Sequence, residues 1–161
     1  MIALGIDPGI ERMGYAVIND CEIVSSGLIS TKKNLLNEER LYDIFNDLKA
    51  LVEKFNPELI VTETLFFSKN VKTASTISEV RGVIKLTAAI FKLKYIELSP
   101  LQIKMALTGY GKANKKQIEK SVQMILKLKE LPGPDDVIDA MAIAICGINK
   151  YRFNIKLNGE D

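Results

Sequence analysis

The 161-residue sequence has no histidine and no tryptophan, only two cysteines and five prolines. Each scarcity removes a class of protein. Without histidine there is no Ser-His-Asp or Cys-His nucleophile, no imidazole base and no imidazole metal ligand. Any bound metal must be a hard cation held by oxygen. Cys21 and Cys146 lie far apart and outside any metal-ligand spacing. They are expected to be buried thiols of a cytoplasmic protein. No apolar run approaches the ~20 residues needed to span a bilayer, so no membrane is expected. The first residues lack the basic-then-apolar order of a secretion signal.

The composition that remains is globular: 47% hydrophobic and 26% charged. One domain over residues 1–150 is expected, followed by a flexible tail over 151–161. Net charge is only +2, but it is unevenly spread. Residues 65–130 hold thirteen Lys/Arg against four Asp/Glu, and the rest of the chain is acidic. That division suits a polyanion gripped in one place and processed in another. A solvated, lysine-rich helical face is the plainer alternative.

The chain opens with Ile2-Ala-Leu-Gly-Ile6, which fits a strand buried on both faces, followed at once by Asp7 and a Pro-Gly turn. Strands are expected at Met13–Asn19 and Cys21–Ser30, close enough for antiparallel hairpins. A helix capped by Asn37 should run from Glu38 to Phe55, with Leu41, Phe45, Leu48, Val52 and Phe55 on one stripe, widened by Ile44 and Leu51. Leu59–Thr62 is a second buried strand, again followed by an acid, Glu63. A strand reached through a helix should lie parallel to the first. Helices follow from Asn70 to about Phe91, after Ser99-Pro100, and over Lys115–Lys129, with a strand at Tyr95–Leu98. Asp135-Asp136 opens the last helix, about 136–149, which is apolar nearly all round.

Asp136 and Asp139 share a helix face in its first turn. Capping amides would suffice to explain them, as a turn cap would explain Asp7. Four acids in matching settings suggest more. Asp7 and Glu63 end strands that should be parallel, where such sheets carry function. If the last helix packs near those ends, four carboxylates converge and repel one another. Two Mg²⁺ ions per site would relieve that repulsion, and Mn²⁺ can substitute. Ions about 4 Å apart suit phosphodiester hydrolysis. Lys69, Lys72, Arg81 and Lys85, and Lys104, Lys112, Lys115, Lys116 and Lys120 around the Gly109–Gly111 loop, could hold phosphates without reading sequence. Phe66 could stack on bases, or anchor a helix start as Phe67 is expected to.

These residues resemble the bacterial RuvC family of Holliday-junction resolvases over about residues 1–150. The likeness rests on Leu4-Gly-Ile-Asp-Pro-Gly9 with Gly14-Tyr-Ala-Val17, Glu63-Thr-Leu-Phe66 with Lys69-Asn70, Arg81-Gly82-Val83, and Asp136-Val-Ile-Asp-Ala-Met-Ala-Ile-Ala-Ile145. It implies an α/β, RNase-H-like fold: a five-stranded mixed sheet with helices on both faces. It also implies a homodimer that nicks a four-way DNA junction symmetrically and leaves 5′-phosphates. A branch-migration motor, RuvA-RuvB, is implied as a partner. On this resemblance Asp7, Glu63, Asp136 and Asp139 fall on the family's metal-binding acids. Some members carry histidine near the last position, where this chain has Asp139. Phe66 falls on the aromatic that assists junction opening, and Lys104 and Lys115 on basic residues tied to activity and DNA contact. Lys116, beside Lys115, is the alternative for the second role. The rivals are an RNase-H-like nuclease of the YqgF type, a nucleotide-binding lobe of the actin or sugar-kinase type, and a catalytically dead junction binder.

Overall fold

A computed structural model describes residues 1–64 and 71–158, with the backbone alone for 71–73 and 158. Five strands form one sheet: β1 (Ile2–Asp7), β2 (Arg12–Asn19), β3 (Glu22–Ser30), β4 (Leu59–Glu63) and β5 (Lys94–Leu98), in the order β3-β2-β1-β4-β5. The three N-terminal strands are antiparallel neighbours, while β4 lies parallel to β1 and β5 parallel to β4. The expected α/β sheet is therefore present, with β1 near its middle. Ala3, Leu4 and Ile6 are fully buried, as the unbroken apolar run requires.

Helices cover both faces. On one lie α1 (Asn37–Phe55) and α2 (Val71–Ile90), over Leu4, Ile6, Val17 and Ile60. On the other lie α3 (Pro100–Thr108), α4 (Lys115–Ile125) and α5 (Asp135–Asn158), over Ala3, Ala16, Leu59 and Val61. Side chains alternate along a strand. Asp7 therefore shares the α5 face with Ala3 and Gly5, and Glu63 shares it with Leu59 and Val61.

Helix α5 lies against the sheet with almost no gap. A Cβ on Gly14 of β2 would come within 1.8 Å of the Asp136 carbonyl oxygen, and one on Gly5 of β1 within 2.3 Å of that of Ala140. The helix thus begins over β2 and crosses β1. Gly14 is paired in register with Asp7. The first turn of α5 is thereby set beside the end of β1.

Several local expectations need correction. Helix α5 continues to Asn158, so residues 151–158 are helical rather than a loose tail. Asn37 is the first helical residue of α1, not its cap, and its amide donates to Glu79 at 2.6 Å. Glu39 instead reaches back to accept from the Leu36 amide. The expected stripe of α1 holds: Ile44, Leu48 and Val52 are buried, with Leu41, Leu51 and Phe55 packed beside them. Helix α4 stops at Ile125 rather than Lys129. Cys146 is buried, but Cys21 is exposed in the β2–β3 turn. Ser99 and Asn114 do cap α3 and α4, accepting from the amides of Gln102 and Gln117.

Candidate active site

Asp7 and Glu63, at the ends of the interior strands β1 and β4, and Asp136 and Asp139, in the first turn of α5, lie close enough to act on one another's charge. Burial, followed by the charges of Asp139, Asp136 and Glu63, drives the Asp7 carboxyl up to about 7, and Lys115 opposes the rise. Glu63 is also raised, by burial and then by Asp139, with Lys104 opposing. Burial raises Asp139 as well; Lys115 lowers it, while Asp135, Asp136 and Glu119 add to the rise. Glu63, Asp139, Lys104 and Ile118 line a common cleft. Asp136 is ion-paired with Arg12.

This is an oxygen-only donor set with excess negative charge. A hard divalent cation would relieve both the repulsion and the desolvation, so the residues fit such an ion by their chemistry. Among the described residues, however, no three acidic or cysteine side chains are already gathered where they could hold an ion. The acids feel one another without forming a closed cage.

The basic residues sort into three groups. Lys104 and Lys115 belong to the acidic site. Lys115 pairs with Asp135 at 2.6 Å and is the lysine whose charge reaches Asp7 and Asp139, which Lys116 is not. Lys112, in the loop before α4, and Lys116 and Lys120 on α4 are all exposed. Arg81 and Lys85 belong elsewhere. Arg81 is only 14% exposed and donates to Glu97 at 2.5 Å; Lys85 pairs with the same carboxylate oxygen at 2.9 Å. Arg81, expected among the DNA-binding cations, has its guanidinium engaged with Glu97 inside the fold. Phe66, Phe67, Lys69 and Asn70 lie outside the described residues, as does the side chain of Lys72.

Sequence reasoning passed over Arg12. It stands at the start of β2, two residues before the glycine paired with Asp7. A cation next to the hairpin turn after Asp7 was the available signal. Beside it a groove of about 920 Å³ runs between Gly9–Arg12, Thr76 and Ile77 of α2, and Pro134–Asp136.

The strand order, the acids at the ends of β1 and β4, and the acidic first turn of the helix across them define an RNase-H-like fold with its acidic site. Comparison with known proteins narrows the class. The family model described as crossover junction endodeoxyribonuclease RuvC matches residues 3–147, and the chain belongs to that family. The protein of that name from Halothermothrix orenii is 44% identical over 160 residues, covering 97% of each chain. The structure of Thermus thermophilus RuvC superposes with a TM-score of 0.90 at 28% identity, covering 96% of this chain and 97% of that one. The same T. thermophilus protein in complex with a Holliday junction substrate also gives 0.90, covering 96% of each chain.

Proposed function

We propose that this protein is an endodeoxyribonuclease that resolves four-way DNA junctions by paired, symmetric nicks, with Asp7, Glu63, Asp136 and Asp139 as its catalytic acids. The observation that carries the assignment of the acids is the packing of the Asp136 backbone onto Gly14, which is paired in register with Asp7; the raised Asp7 carboxyl agrees with it. Family membership over residues 3–147 supports the substrate.

Two Mg²⁺ ions per site, for which Mn²⁺ can substitute, would supply charge neutralisation at the phosphate and a more acidic water. The chain's own residues do the rest. The four carboxylates would hold the ions. The bases of the site stay close to the polyanion: Lys104 beside Glu63, and Lys115 beside Asp139, attract the phosphate backbone and keep the acids from repelling it. Lys112 and Lys116 extend that attraction beyond the site. Phe66, Lys69 and Lys72 are proposed to meet the strand next to Glu63, on the strength of the family motif. Cleavage at the 3′-oxygen side leaves 5′-phosphates.

Two matched nicks on a two-fold junction call for two matched sites, which a C2 homodimer supplies. The outer face of α2 suits that role: Leu86 and Ile90 are exposed, and Gly82, one turn before Leu86, has open space above it. The RuvA-RuvB branch-migration complex is the proposed partner, and the cytoplasm the proposed location. Among the described residues no helix is long and apolar enough to cross a membrane.

The test uses a synthetic mobile four-way junction, with Mg²⁺ or with EDTA, on a denaturing gel. Symmetric nicks in one opposing strand pair, only with metal, are expected. Binding without cutting would make the protein a structural junction binder, and cutting of RNA instead would place it with the ribosomal-RNA nucleases.

A further inference from the structure

Arg12, Gly14, Ala16 and Ile18 alternate along β2 onto the α5 face. Gly14 lets the backbone of Asp136 descend onto the strand. The Arg12 side chain therefore rises beside the first turn of α5, where it pairs with the Asp136 carboxylate. The neighbouring acid, Glu11, is not its partner; Glu11 pairs with Lys33 at 2.9 Å. Arg12 is about half exposed, at 54%, and borders the groove that runs past Asp136.

We propose that Arg12 is the resident counter-ion of Asp136 in the DNA-free protein, and that a divalent cation must displace it to complete the acidic site. The proposal rests on the reading of the four acids as metal ligands. A guanidinium and a divalent cation are drawn to the same carboxylate and repel each other, so occupancy by one weakens the other. Without metal, Arg12 offsets the charge through which Asp136 repels Asp7 and Asp139. A DNA strand in the adjacent groove changes the balance. Its phosphates offer the guanidinium a fork-shaped partner of equal charge. Arg12 then leaves Asp136, and metal binds more readily when the junction is present. By linkage, metal also tightens junction binding by the same factor.

The experiment is a Mn²⁺ titration of the whole DNA-free protein, followed by the spin-resonance signal of free Mn²⁺ and by melting temperature. Arg12→Gln is compared with wild type, with Lys33→Gln and with Asp139→Asn. Arg12→Gln should bind Mn²⁺ roughly threefold tighter, the scale of a partly exposed ion pair. Its melting temperature should rise more than that of wild type on adding Mn²⁺. Lys33→Gln removes a nearby charge without touching Asp136 and should bind Mn²⁺ as wild type does. Unchanged or weaker binding by Arg12→Gln overturns the proposal. Equal tightening by Lys33→Gln also overturns it, because the effect would then belong to the general field. Asp139→Asn should bind more weakly; if it matches wild type, the four-acid metal site itself is wrong, whatever Arg12 does.

Discussion

Asp7 and Glu97 are carboxylates of one sheet, and their surroundings drive them in opposite directions. Asp7 ends β1 on the α5 face, where burial and three further acids push it up to about 7. Glu97 lies in β5 on the α2 face. Burial would raise it, but hydrogen bonds from Lys85, Tyr95 and Arg81 prevail and hold it down at about 2. Tyr95 donates to Glu97 at 2.9 Å and shares a 2.8 Å hydrogen bond with the fully buried Thr62. Glu97 is thus neutralised within the fold and ties α2 to β5, with Tyr95 carrying the link to β4. Asp7 is left with a charge deficit that the fold does not fill. The difference teaches how to separate a structural acid from a chemical one. Glu97 has its cations built in, whereas around Asp7 the negative charge is left uncompensated even with Arg12 on Asp136.

The comparison can be broken first at Asp7. Asp7→Asn should cost more than about 100-fold in junction cleavage, because even outer partners of metal ligands cost 10–100-fold. Chemical denaturation in EDTA should show the variant folded and no less stable, since one repelling charge is gone. If the variant nicks at the wild-type rate, Asp7 has no part in the chemistry.

Gly14→Ala attacks the placement of the acids rather than their charge. Its Cβ would stand 1.8 Å from the Asp136 carbonyl oxygen, so α5 must shift. Stability should fall by about 3 kcal/mol, the upper range for forced overpacking, and cleavage should fall with it. Thermal melting and the nicking assay read the two effects separately.

Arg81→Ala sharpens the other half. It removes a hydrogen bond to a charged group from a largely buried pair, which should cost about 2 kcal/mol. Junction affinity, measured by gel shift on the folded fraction, should change little. A loss of affinity with stability intact would return Arg81 to the DNA interface.

The smallest effect is the pH dependence of metal-free stability. Glu97 is held below its ordinary 4.5, so its contribution is present above that pH and is lost as pH falls towards about 2. Asp7 is raised from its ordinary 3.8 to about 7. Its contribution is therefore present below 3.8 and is lost as pH rises through 7. Denaturation midpoints in EDTA should decline on both sides. Glu97→Gln should flatten the acid limb and Asp7→Asn the neutral one; interchanged effects would contradict the assignment.

Much of the site was legible in the chain. The runs Ile2–Ile6 and Leu59–Thr62 can be strands only if both faces are covered, and an acid directly after each marks a strand end. The spacing of Asp136 and Asp139 sets them on one helix face whatever the helix packs against. Arg81 was not legible, because a lysine-rich segment reads as surface whichever way each side chain turns. Its true partner, Glu97, is sixteen residues away on another element. The length of α5 was hidden because Tyr151, Phe153, Ile155 and Leu157 alternate with polar residues, a period of two rather than a helical stripe. Phe66 and its neighbours remain an inference from motif alone.

By itself, then, the sequence determined the alternation of strands and helices, the oxygen-only chemistry open to a histidine-free chain, and the four acids. These depend on local periodicity and on residue type. Only the tertiary structure decided which charges meet: Asp7 beside three acids, Arg81 with Glu97, Arg12 with Asp136, and Lys115 rather than Lys116 toward the site. The pairings on the α5 face depend on how closely α5 can lie on β1 and β2. That distance is set by packing at Gly5 and Gly14, which no local pattern encodes.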